Sequence, residues 1–223
     1  MPSIENWWNS PIDWGTPAGQ LLSRFAAALP ADRGYRITVF GSAPLQLTLD
    51  RDLLSGDVDI FSDDDEDLTE AVRQAGLAKG HGGLYLEPSF ELSFRASTRW
   101  RQRAKVIQLG KLTLTFPHPL DILIGKLGRL DPKDLEAFKR VVQLTGHPTA
   151  EELIPELQNA LDLFRPAFDE ETPNRYPENT QRLWQELYAS DIDVRKAIIE
   201  PAIKKRQEGY GESPPDYKGV LGR

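Results

Sequence analysis

VFGSAPLQLTLDRDLLSGDVDIF, Val39 to Phe61, is the stretch that decides how this chain folds. It opens on the end of a β-branched and aromatic run, Arg36-Ile37-Thr38-Val39-Phe40, that reads as a strand stopping at Gly41-Ser42. Pro44 to Leu54 can then resume a helix, and Val58 to Phe61 reads as a second short strand. Asp57 and Asp59 are one residue apart on that strand, so period-two geometry aims both carboxylates at one face while Val58 and Ile60 face the core. Paired hard-oxygen ligands suit Mg²⁺, which takes one or two protein carboxylates and completes its shell with water and substrate phosphates. An isolated Asp-x-Asp is ordinarily a strand edge with solvated charges. Here the upstream strand, the Gly-Ser turn and the following helix add backbone N–H groups, a serine hydroxyl and a helix N-terminus where a phosphate could sit. Gly41 permits close backbone approach.

Working outward, Leu21, Leu22, Phe25 and Leu29 fall at helical spacing in Thr16 to Leu29, closed by Pro30 and preceded by a tryptophan-rich opening of Trp7, Trp8 and Trp14. Asp63 to Asp67 reads as the solvated acidic start of a helix over Leu68 to Ala75. Leu84 to Leu86, Phe90 to Phe94, Val106 to Leu109 and Leu112 to Phe116 read as strands, the last two joined at Gly110-Lys111 as a hairpin. After Pro117 and Pro119 the pattern turns helical: Leu120 to Leu130, Lys133 to Leu144, Glu151 to Phe164, Thr180 to Tyr188 and Val194 to Glu208. Phe164, Phe168, Tyr176, Trp184 and Tyr188 read as core of that half. The expected class is α+β, a mixed sheet flanked by helices over residues 1–116, a helical half over 117–208 and an extended tail over 209–223.

The motifs resemble the nucleotidyltransferase superfamily with a DNA-polymerase-β-like fold, whose signature is hydrophobic-Gly-Gly/Ser, a spacer, then carboxylate-hydrophobic-carboxylate. Val39-Phe40-Gly41-Ser42 and Asp57-Val58-Asp59-Ile60 match it, with a slightly long spacer from Ala43 to Gly56 that an extended helix would absorb. The resemblance implies a mixed sheet of that type, an NTP substrate and Mg²⁺ held by Asp57, Asp59 and a third carboxylate from a neighbouring strand. Glu91, with the hydrophobic flanks of Phe90-Glu91-Leu92, is the expected third ligand, and Glu87 the fallback, although the family usually has aspartate there. Pro117 to Lys126 and Lys133-Asp134-Leu135-Glu136-Ala137 are similar to the bacterial abortive-infection and toxin-antitoxin branch, with Ala137 departing from a usual acidic position. That branch implies that Lys126 contacts phosphates and that Asp134 serves as a base or as the partner of Lys126. It also implies transfer of an NMP to a tRNA end or a protein hydroxyl, and a cognate antitoxin. The motif regions cover roughly 37–142, and the last 80 or so residues carry no specific match.

Lys126 stands out without the family, because it falls within the apolar stripe of Leu123, Leu127 and Leu130. An ammonium there needs a partner or must snorkel, and the partner candidates are Asp57, Asp59, Asp134 or a bound triphosphate. Arg95, Arg99, Arg101, Arg103 and Lys105 form the one dense basic run. It reads either as an RNA surface with Trp100 stacking a base, or as a solvated loop with Trp100 packed inward. A net charge of −7 argues against coating nucleic acid through overall charge. The absence of cysteine excludes disulfides, thiolate zinc sites and thiol nucleophiles, and His81, His118 and His147 lack ligand spacing and read as structural or surface residues. No run of about 18 apolar residues and no signal-type leader is present, so the expectation is a cytoplasmic protein without a membrane partner. The alternative to an enzyme is a non-catalytic member of the fold that binds a nucleotide or a partner protein.

Overall fold

The computed structural model describes residues 11–30, 34–64, 68–80, 82–165 and 173–210. Trp7, Trp8, Asp65 to Asp67, His81, Phe168 and residues 211–223 of the expected tail lie outside the described residues.

The chain is mixed α+β. Helix α1 (Pro17–Ala28) is capped by Thr16, whose Oγ1 accepts from the Gly19 amide at 3.1 Å, and has proline in its first turn. Strand β1 (Tyr35–Val39) leads through Gly41-Ser42 into a short helix α2 (Ala43–Thr48), and β2 (Asp57–Ser62) follows. Then come α3 (Leu68–Gln74), β3 (Tyr85–Pro88), and a hairpin of β4 (Lys105–Leu109) and β5 (Leu112–Phe116), turned at Gly110 with φ of 59°. The strands lie in the order β3-β2-β1-β5-β4, with β1–β5 and β2–β3 parallel and β1–β2 and β4–β5 antiparallel.

Alternation divides the sheet into two unlike faces. Tyr35, Ile37, Val39, Val58, Ile60, Leu86, Leu112 and Leu114 bury against Leu21, Leu22 and Phe25 of α1 and Leu68 and Val72 of α3. At about 1.5–3 kcal/mol per fully buried large aliphatic side chain, this face holds the sheet together. The opposite face carries Thr38, Phe61, Asp57 and Asp59. A small aromatic cluster of Phe40, Phe61, Phe94 and Trp100 covers part of it, with Phe94 and Trp100 edge to face at 5.2 Å between centroids. Asp63 also belongs to that face. Its side chain is only 7% exposed and accepts from Thr38 Oγ1 (2.8 Å), Thr115 Oγ1 (3.2 Å) and Arg101 (3.1 Å), so it ties β1, β5 and the basic run together rather than starting a solvated helix.

The helical half is built from α4 (Pro119–Lys126), α5 (Pro132–Thr145), α6 (Ala150–Asn159), α7 (Tyr176–Tyr188) and α8 (Glu200–Tyr210). His118 caps α4, accepting from the Leu120 amide, and burial together with the charge of Arg103 pushes its imidazole down to about 3, so it stays neutral and structural. Thr149 and Glu152 form a capping box at α6, with His147 bound to Glu152. The expected single helix over Glu151 to Phe164 breaks at Ala160, after which Leu161–Phe164 makes a tight turn, and α8 is preceded by a wide turn over Arg195–Ile199. Phe138, Leu153, Leu157, Phe164, Tyr176, Leu183 and Trp184 pack in one apolar cluster, which Leu45 of α2 joins, and Tyr188 stacks on Trp184 at its edge. Thus α2 touches both halves. No helix among the described residues is long and apolar enough to cross a membrane.

Two expectations are corrected. The helix expected over Pro44 to Leu54 ends at Thr48, because the chain beyond is drawn elsewhere: Asp50 bonds Arg140 of α5 at 2.6 Å and turns back on the Asp52 amide. The strand expected over Phe90 to Phe94 is a tight turn over Glu91–Ser93. The edge strand β3 ends at Pro88, which has no amide to continue a ladder, and of the three alternating apolar residues only Phe94 finds apolar neighbours. Phe90 and Leu92 are 81% and 90% exposed.

Candidate active site

Backbone pairing puts the Gly-Ser turn against the paired carboxylates. The Phe40 amide donates to the Asp59 carbonyl at 3.0 Å, and Gly41 follows with φ of 70°. A Cβ built on Gly41 would collide with the Asp59 carboxylate, so glycine is required here both for its dihedral and for its lack of a side chain. Ser42 begins α2 without capping it, and its Oγ instead accepts from Lys126 Nζ at 2.9 Å. Since α2 is six residues long and has proline in its first turn, the expected contribution of a long helix N-terminus is replaced by that lysine.

Asp57 and Asp59 share the open face of β2, where Ser55 Oγ donates to Asp57 at 3.3 Å. The parallel register sets Asp59 opposite Glu87 of β3. Burial first, then the charges of Asp57 and Glu87, push the Asp59 carboxyl up to about 6, while Lys126 and Arg129 pull the other way. Glu87, and not Glu91, is thus the glutamate on the strand beside Asp59. Glu91 sits on the exposed turn and is bound to Arg101 at 2.9 Å.

Lys126, at the end of α4, is 9% exposed along its side chain and divides its protons between Ser42 and Asp134 of α5, the latter at 2.8 Å. Asp134 is fully buried and also receives Arg129 at 3.1 Å. Burial alone would raise its carboxyl, but hydrogen bonds and charge from Lys126 and Arg129 outweigh that and hold it below the usual range. Arg129, whose second partner is Asp131, was missed in the sequence although it lies only three residues beyond Lys126, in the turn that follows α4. These groups meet at a cavity of about 480 Å³, lined among others by Gly41, Asp59, Lys126, Arg129 and Asp134. That volume is in the range of small-molecule sites, roughly 300–1,000 Å³.

Two of the five basic residues in the run are committed internally. Arg101 bridges Asp63 and Glu91 while lying over the Trp100 ring at 4.5 Å. Arg103 makes a two-bond contact with buried Asp121, at 2.6 and 2.9 Å, and reaches Glu156 of α6 at 2.7 Å. Trp100 packs inward at 7% exposure, which removes it as a stacking platform.

Mg²⁺ fits the donor set. Asp57 and Asp59 offer paired carboxylates on one face, and burial together with the charges of Asp57 and Glu87 lifts Asp59, a repulsion that a hard divalent cation would relieve. Among the described residues no three carboxylate or imidazole groups gather closely enough to hold an ion alone, so two aspartates would need water and phosphate oxygens to complete a shell. Replacing Gly41 with alanine tests this packing. The left-handed dihedral costs about 1–2 kcal/mol, and the added methyl displaces the Asp59 carboxylate. The expected result is a lower melting temperature together with weakened Mn²⁺ binding by calorimetry. Unchanged melting and unchanged affinity would refute the contact.

The chain matches no known family profile, no curated protein and no solved structure.

Proposed function

We propose that this chain is a Mg²⁺-dependent nucleotidyltransferase with the DNA-polymerase-β-like fold, moving an NMP from an NTP to a hydroxyl of an RNA end or of a protein. The acceptor oxygen gives up its proton to solvent water and forms a bond to the α-phosphorus, the bond to the bridging oxygen breaks, and pyrophosphate leaves. The observation that carries the reading is the meeting at one cavity of Asp59 on β2, whose face Asp57 shares, Gly41 beside it and Lys126, which bonds Ser42 of the same turn. Bound Mg²⁺ would supply charge neutralisation of the phosphates and alignment of the attacking and leaving oxygens. Asp57 and Asp59 would hold it. Gly41 leaves room for a phosphate beside the turn, and Lys126, whose ammonium Asp134 keeps in place, meets that phosphate's charge. A toxin role with a cognate antitoxin rests on the motif resemblance alone.

A second reading, a fold that binds nucleotide without transferring it, is favoured by one observation: Glu91 is spent on Arg101, and Glu87 opposite Asp59 does not make a close group of three carboxylates with the aspartates. Incubation with Mg²⁺, each labelled NTP and total tRNA or cell lysate separates the two. Label in RNA or protein that vanishes in Asp57→Asn/Asp59→Asn is expected for transfer. NTP binding with no label in any fraction would overturn transfer in favour of binding alone.

A further inference from the structure

Arg95 lines the same cavity, from the segment after β3, and among the described residues it has no ion-pair or hydrogen-bond partner. Its root is fixed on both sides. Phe94 is held in the aromatic cluster against Phe40 and Trp100, and Ser97 donates to buried Asp121 at 3.2 Å. The Arg95 carbonyl lies so near Gly125 that a Cβ there would come within 2.6 Å of it, so this segment rests directly on α4. Arg95 as a whole residue is exposed.

Its electrostatic position differs from that of the other two cations. Lys126 and Arg129 act on Asp59, and both share Asp134. Arg95 instead acts on the phenol of Tyr176, which contacts the Gly125 carbonyl and packs on Gly128. Within the cavity, Lys126 and Arg129 have their charge balanced by Asp134, whereas Arg95 has no ion-pair partner among the described residues. Ser89 and Ser93 also line the wall. A solvated surface arginine is the ordinary alternative, but a guanidinium on a fixed root in a cavity, with hydroxyls on the same wall, has the donor geometry for an anion with several acceptor oxygens.

We propose that Arg95 binds a phosphate group of a nucleotide in this cavity, in addition to the phosphate that Lys126 meets beside Asp59. This rests on the nucleotidyltransferase reading. The phosphate belongs either to the NTP itself or to a phosphodiester of a polynucleotide acceptor, and the binding arms separate these sources.

The test is calorimetric titration of wild type, Arg95→Gln, Arg95→Lys and Lys126→Gln with two probes: a methylene-bridged ATP analogue with Mg²⁺, and a short single-stranded oligoribonucleotide. Arg95→Gln should melt like wild type, since its side chain bonds nothing in the fold. Loss of a charge-assisted hydrogen bond weakens binding by roughly tenfold or more. A loss of that size for the analogue, partly recovered in Arg95→Lys, assigns Arg95 to the NTP; the same loss confined to the oligoribonucleotide assigns it to the acceptor. If Lys126→Gln loses the analogue while Arg95→Gln stays within about twofold of wild type for both probes, the Arg95 proposal is overturned and the nucleotidyltransferase reading stands. A wild-type protein that binds neither probe overturns both.

Discussion

Asp59→Asn is expected to melt at a higher temperature than the wild type at pH 7.5 while losing the proposed nucleotide transfer by at least about a hundredfold. The Asp59 carboxyl is held up to about 6 by burial and by the charges of Asp57 and Glu87, against an ordinary 3.8. Between those values the unfolded chain is deprotonated and the folded one still binds the proton, so stability falls as pH rises from about 4 to about 6 and is level above. The whole shift would convert to about 3 kcal/mol. Water reaches part of the side chain, so about 1–2 kcal/mol is the better expectation, or several degrees in a chain of this size. The advantage of asparagine should be absent at pH 4 and complete by pH 7. Saturating Mg²⁺ should narrow the gap by stabilising only the wild type. Melting curves across pH, with and without Mg²⁺, measure all three. A variant less stable than wild type at pH 7.5 would show that Asp59 is a structural acceptor and not a charge held against its own cost.

The features of the site that were legible in the sequence are those set by local periodicity. Asp57-Val58-Asp59-Ile60 alternates, and alternation alone assigns the aspartates to one face and Val58 and Ile60, both fully buried, to the other. The β4–β5 hairpin was legible because Gly110 supplies the positive φ of its turn. The same logic misled at Phe90-Glu91-Leu92-Ser93-Phe94, which alternates like a strand but follows the Pro88 end of an edge strand with no partner left to pair. Glu87 could be named only as a fallback, because its place opposite Asp59 depends on strand order and register, which no local pattern carries. Charge spacing likewise could not tell solvated arginines from paired ones. Arg103 is spent on Asp121 and Glu156, residues from two helices later in the chain, and that is a property of packing. Lys126 was readable as a lysine needing a partner, and Asp134 was among the candidates because it lies only eight positions away. Its bond to Ser42 spans 84 positions, and nothing local signals it.

That bond leads to the second large effect: Asp134→Ala is expected to destabilise the fold by about 3–5 kcal/mol, the range for removing one partner of a buried ion pair. Asp134 is fully buried and neutralises two cations. Arg129 is 59% exposed and can turn to water or to Asp131, but Lys126, at 9%, has no such exit. Its remaining contact, the Ser42 hydroxyl, leaves the ammonium buried without a counter-charge. Lys126→Met should cost much less, because Asp134 then keeps Arg129. The double replacement Lys126→Met/Asp134→Leu, apolar and of similar volume, should recover most of the loss seen in Asp134→Ala. Denaturant unfolding of the four proteins measures this order, and an Asp134→Ala variant within about 1 kcal/mol of wild type would refute the burial argument. Binding separates structure from function in the same series. If the lysine serves only to join α4 to the Gly41-Ser42 turn, the refolded double variant should bind an NTP analogue as the wild type does. If the lysine meets phosphate charge, the double variant should be stable and yet bind the analogue at least about tenfold more weakly.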